Sequence, residues 1–165
     1  MYLHWTVLVV WAVILLNAIS NPVLSLVGLF CYTGVLLIHE WGHLIAAQRL
    51  NCRVYSIELY PFFRFIRFEI PWSHVDHCVI AWGGVVAQAV IAIPLLIWLA
   101  VFGYSSVQPA NAVIVILGIF SLFVAAFNLL PIRNLDGNVA WGLLPALMHR
   151  SRLQSKESAR YKSSR

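Results

Sequence analysis

The first 38 residues of this 165-residue chain contain no Asp, Glu, Lys or Arg, and the charge that ends the run, Glu40, lies inside His39-Glu40-Trp41-Gly42-His43. The residues directly upstream, Val23 to Ile38, are almost wholly apolar. The chain is 61% hydrophobic and only 10% charged, where a soluble domain carries about a quarter charged residues. It therefore reads as an integral membrane protein, and its length suits one domain. An ionisable side chain in such a segment is costly in hydrocarbon, which makes Glu40 a candidate functional group by default.

The five residues spell H-E-x-x-H. Positions four apart share a helix face, so the imidazoles of His39 and His43 can converge on one zinc ion. Glu40 then lies beside the metal and not on it, where a general base for an activated water belongs. His39 falls roughly 24 Å along a helix counted from Val23, which is inside a hydrocarbon core about 30 Å thick. The pattern predicts a zinc peptidase site within a membrane, with one zinc ion per chain.

Four spans are expected: Leu3 to Ile19, Val23 to about Arg49, Cys78 to Phe102 with Pro94 as a kink, and Ala112 to Leu130. Pro131 to Gly137 breaks the fourth, and Val139 to Met148 resumes as a half-helix too short to span alone. Six of the eleven basic residues lie in the tail from Arg150 and four in or beside the loop after the second span. By the bias of Lys and Arg towards the cytoplasm, that loop, the tail and the N-terminus are cytoplasmic. The chain is expected as a multi-pass protein of the inner or plasma membrane, with residues 1–150 as the core and 151–165 as a disordered basic tail. No signal peptide is recognisable, since a basic n-region is lacking and Asn17 to Pro22 reads as a turn. The net charge of +5 follows from residues flanking apolar spans, in contact with anionic headgroups of the bilayer, so nucleic acid is not an expected partner. Cys31, Cys52 and Cys78 are too few and too scattered for a disulfide framework.

Two further segments bear on function. Residues 53–70 alternate imperfectly between aromatic or β-branched and polar residues, with Tyr60-Pro61 in the middle. They suit either a small membrane-associated β-hairpin or an amphipathic interfacial loop. Two histidines do not complete a catalytic zinc site, which usually takes three protein ligands. Asp136, at the helix break, is the obvious third ligand, because a carboxylate on a dication escapes much of its desolvation penalty. The competing role for Asp136-Gly137 is a capped turn. His74 and His77, beside Asp76 in a loop, offer little as a second metal site.

HEWGH on one membrane helix followed by NLLPIRNLDG (Asn128 to Gly137) on a later one resembles the site-2 protease family of intramembrane zinc metalloproteases. That family pairs H-E-x-x-H with a motif close to N-x-x-P-x-x-x-L-D-G. IELYPFF (Ile57 to Phe63) also resembles the apolar segment that follows the first motif in compact members. The resemblance runs from about Val35 to Gly137. It implies that His39, His43 and Asp136 ligate zinc and that Glu40 is the catalytic base. It implies that Asn128 helps to hold the scissile carbonyl or its oxyanion. The segment around Ile57, Glu58, Leu59, Phe65, Ile66, Arg67 and Phe68 would pair its edge with an unwound substrate strand. The family's A-G-P-x-x-N is here WGGVVAQ (Trp82 to Gln88), with the proline missing and Gln88 as a carboxamide one position later. Gly83-Gly84 could equally be helix-packing glycines. No PDZ or CBS module is present, so the chain resembles a minimal catalytic core.

The expected fold is thus mainly α: four transmembrane helices, a half-helix after the break, and a β-hairpin between helices 2 and 3. The expected activity is hydrolysis of peptide bonds within or near transmembrane segments of membrane-protein substrates, with a separate membrane protein as a possible regulator. The alternative is a catalytically silent protein of the same fold that binds zinc and client helices. Retention of Glu40 speaks against it. A zinc transporter would need successive sites along a path, whereas these ligands gather at one depth.

Overall fold

The computed structural model describes residues 2–3, 5–52, 54–59, 65–68, 73–133, 135–146 and 148 (backbone only at 2–3, 5–7, 17, 54–59 and 65–68), and the chain is mainly helical. In order come β1 (Tyr2–Leu3), α1 (Trp5–Leu16), a 3-10 turn (Asn17–Ile19), α2 (Pro22–Arg49), β2 (Val54–Leu59), β3 (Phe65–Phe68), α3 (His74–Phe102), α4 (Gln108–Asn128) and α5 (Gly137–Ala140).

Three helices among the described residues, α2, α3 and α4, are long and apolar enough to cross a membrane, with 28, 29 and 21 residues. The expected first span, Leu3 to Ile19, is not among them. Its helix α1 has 12 residues, about 18 Å of rise against a core of about 30 Å. Both ends explain the shortfall. Tyr2 and Leu3 pair in parallel with Glu58 and Leu59 of β2 and leave the helix. At the other end the chain tightens into the 3-10 turn at Asn17 and restarts at Pro22, whose missing N–H is harmless in a first turn. The stretch from Val139 to Met148 also departs from expectation, because a turn at Trp141 and Gly142 divides it after α5.

Local chemistry sets the long helices' limits. α2 closes with Asn51 in the left-handed region (φ 55°), its N–H on the Gln48 carbonyl and the Cys52 N–H on that of Ala47. That is a Schellman arrangement, and Asn tolerates its backbone better than most residues. α3 is capped by Ser73, whose hydroxyl accepts from the Val75 N–H at 3.2 Å, and ends at Gly103 with φ 71°. α4 runs as a π-helix through Ile114–Phe120 before its α-helical end, Ser121–Asn128. Its buried positions, Ile114, Gly118, Ser121, Ala125 and Asn128, follow one another at alternating steps of four and three and so share a face.

The described strands form a sheet of order β1-β2-β3, β2 and β3 antiparallel with Ile57 opposite Ile66 and Glu58 opposite Phe65. The residues that would join them, 60–64, lie outside the described residues, as does the tail from 149.

The α2–α3 contact positions the site. A Cβ on Gly42 would strike the Gly83 carbonyl and lie 2.7 Å from the Ala87 Cβ. One on Gly83 would lie 2.5 Å from the Gly42 oxygen and 3.0 Å from the Ala46 Cβ. Gly42-x-x-x-Ala46 thus packs reciprocally on Gly83-x-x-x-Ala87, the small-residue crossing by which membrane helices bring backbones together. The outward faces carry Phe30, Trp41, Val90, Val101 and Phe123, all well exposed. Large apolar side chains so disposed suit lipid, not water.

Candidate metal centre

His39 and His43 stand one turn apart on the buried face of α2, and Asp136 is the residue before α5. Asp136 and His43 are 0% exposed and His39 is 6% exposed. Asp136 Oδ2 lies 3.1 Å from His39 Nε2 and 3.2 Å from His43 Nε2, and the two Nε2 atoms are 3.1 Å apart. The ligand atoms of these three residues fall within 4.8 Å of one another, so the cluster could hold a metal ion. The sequence left open whether Asp136 caps a turn. Its side chain makes no capping hydrogen bond and is directed at the imidazoles.

The histidines' other nitrogens show how the cluster could take up a cation. His43 Nδ1 is 2.7 Å from the Ile80 carbonyl oxygen, which can only accept, so Nδ1 carries the proton. His39 Nδ1 is 3.0 Å from Gln88 Oε1, likewise an acceptor. In the neutral rings both Nε2 atoms then present lone pairs, and they face each other and a carboxylate oxygen. Three acceptors converging on one point repel unless a positive charge lies between them. Backbone carbonyls and carboxamides holding the distal nitrogen are also what orients metal-bound imidazoles. With Asp136 and the buried Glu40 both ionised and the imidazoles neutral, the formal charge is −2, which a dication matches.

Packing fixes the rings from a third side. A Cβ at Gly84 would lie 2.5 Å from His43 Nε2, 2.6 Å from His39 Cε1 and 2.7 Å from His39 Nδ1. The two adjacent glycines therefore do different things: Gly83 admits the α2 backbone and Gly84 admits the imidazoles.

The segment carrying Asp136 is held by side chains whose role the sequence does not disclose. The Cys78 thiol donates to the Val139 carbonyl at 3.1 Å and the Trp82 indole N–H to that of Ala140 at 3.1 Å. The Trp141 indole N–H donates to the Leu129 carbonyl at 2.7 Å, tying α5 to the end of α4. Gly137 is required where the chain crosses that end, since a Cβ there would strike the carbonyls of Leu129 and Leu130. The spacing of Cys78 and Trp82, four apart at the start of α3, was the only trace of this clamp in the sequence.

The remaining candidates are placed as follows. Glu40 is buried next to His39 but is not one of the three converging ligands. Gln88 is buried with its oxygen on His39; its Nε2 has no hydrogen-bond partner among the described residues. Asn128 is buried at the end of α4, its Nδ2 donating to the Val124 carbonyl at 3.0 Å. Ile57, Glu58 and Leu59 lie on β2, and Phe65, Ile66, Arg67 and Phe68 form β3. Glu58 and Leu59 already have β1 alongside. His74 Nδ1 lies 3.5 Å from the Cys78 sulfur and joins no metal cluster among the described residues.

No family model matches the chain, and no curated protein matches it in sequence.

Proposed function

We propose that the protein is an intramembrane zinc metalloprotease of the site-2 protease type. One observation carries the reading. A carboxylate distant in sequence, Asp136, meets the two histidines of H-E-x-x-H on an apolar helix, with the motif's Glu40 buried beside them. Zinc suits the donor set. Bonds of about 2.0–2.1 Å in a tetrahedral site put neighbouring ligand atoms roughly 3.3 Å apart. The three separations here are 3.1, 3.1 and 3.2 Å. Two imidazoles and a carboxylate leave a fourth position open, as catalytic zinc sites do.

When bound, zinc polarises a peptide carbonyl and lowers the pKa of a water to roughly 7. In this reading Glu40 would accept a proton from the attacking water and deliver it to the leaving amine. Gln88 and the Ile80 carbonyl keep both imidazoles in the Nδ1–H form, so that Nε2 stays available to the metal. The buried Gln88 Nε2 and the Asn128 carboxamide are donors for the carbonyl oxygen as it gains charge. The substrate is a membrane protein with its transmembrane helix locally unwound, because helical hydrogen bonding shields its carbonyls. In this reading its extended strand adds to β3, one of the two outer strands of the described sheet. The loop after α2 and the tail face the cytoplasm, and a separate membrane protein could regulate access.

The test is incubation of the purified chain with a panel of single-span substrates, with and without a chelator, beside Glu40→Gln. Cleavage that stops with chelator, and a variant with full zinc content and activity lower by orders of magnitude, are expected. Comparable turnover by the variant removes Glu40 as the base. Intact substrates throughout, with zinc bound, point to the silent alternative.

A further inference from the structure

A groove of about 460 Å³ runs between α2 and α3, a size within the range of ligand pockets. Its lining includes Ile45, Ala46, Trp82, Val86 and Ala87, with one charged residue among those described, Arg49. The glycine crossing forms it. Gly42 and Gly83 pull the helices together, while Ala46 and Ala87, ending at Cβ, leave a furrow beside the contact. From Gly42 to Leu50 the furrow extends roughly 12 Å along α2. Arg49 lies at the helix end, where the apolar span gives way to the polar loop. None of His39, Glu40, His43, Gln88 or Asp136 lines it.

We propose that this groove binds one anionic phospholipid, with the phosphate on Arg49 and an acyl chain along Ala46, Val86 and Ala87. Helices long and apolar enough to span a membrane form both walls, so the groove opens towards hydrocarbon. An unfilled apolar furrow forfeits dispersion contacts that an acyl chain restores. The charge selects the headgroup. Arg49 is exposed and makes no ion pair with a carboxylate among the described residues, and its guanidinium fork matches a phosphate. An apolar protein helix in the same groove would leave that charge unmatched. A single basic residue at the headgroup level gives a preference for anionic over zwitterionic lipid of roughly five-fold. This site does not depend on the protein being a protease.

The experiment is native mass spectrometry of the full chain released from detergent, with phosphatidylglycerol or phosphatidylcholine of identical acyl chains. The wild type should retain phosphatidylglycerol roughly five-fold more. Arg49→Gln should abolish the preference and Arg49→Lys should keep part of it. Val86→Trp, at an exposed rim position, should fill the furrow and reduce both adducts. Thermal unfolding of each variant checks the fold. The proposal is overturned if the preference is absent from the wild type or survives Arg49→Gln. It is equally overturned if an apolar single-span peptide displaces the bound lipid, which would make the groove a helix-docking surface.

Discussion

Gly84→Ala should separate metal binding from folding. The added methyl would lie 2.5–2.7 Å from three atoms of the His39 and His43 rings. Ordinary carbon contacts begin at roughly 3.5 Å, so the rings must retreat by about 1 Å. Metal sites tolerate ligand displacements of only about 0.2 Å, and the separations of 3.1–3.2 Å leave no slack. Disturbing how ligands are held typically lowers metal affinity about 10- to 100-fold, and a 1 Å misplacement lowers turnover about 100-fold. Helix propensity acts the other way, since alanine in a helix interior is favoured over glycine by about 1 kcal/mol. Competitive zinc titration against a chromophoric chelator measures the affinity, and thermal unfolding of metal-free protein measures the fold. Weakened metal binding with metal-free stability held or raised is the expected result. Zinc affinity within two-fold of wild type would refute the reasoning, for the rings could then not abut Gly84 as described. Gly83→Ala provides the contrast. Its methyl meets the Gly42 backbone at 2.5 Å, which no side-chain rotation relieves, so it should destabilise the fold itself.

Asp136→Ala should lower zinc occupancy together with activity, as read by metal analysis after gel filtration; unchanged affinity would move the third ligand elsewhere. Gln88→Leu removes the acceptor for His39 Nδ1 and should weaken zinc about 10- to 100-fold, with Gln88→Glu restoring much of it; equal affinity in all three proteins would reduce Gln88 to packing. Proline at those β3 positions whose N–H points away from β2 should abolish cleavage while zinc content and melting temperature hold, because proline lacks the donor that a substrate strand needs. Prolines that either unfold the protein or change nothing would dismiss strand addition.

The two histidines, the acid between them and the later aspartate were legible because each rests on a strong local rule. Helical spacing puts positions 39 and 43 on one face whatever surrounds them, and an acid in a charge-free apolar chain needs a partner. The same composition made the membrane class plain. Hydropathy did not separate a spanning helix from α1, because apolar content is indifferent to where backbone hydrogen bonds go. Only the pairing of Tyr2 and Leu3 with β2 and the turn at Asn17 shortened that helix. Which of two neighbouring glycines faces a backbone and which faces the imidazoles depends on the α2–α3 crossing, to which a sequence motif is blind. The hold of Gln88 on His39, of Ile80 on His43, and of Cys78 and Trp82 on the chain beyond Asp136 are contacts between separate elements. Residue types and spacing along one helix decided what chemistry the ligands could do; the packing of α3 against α2 and α5 decided that they meet at one point.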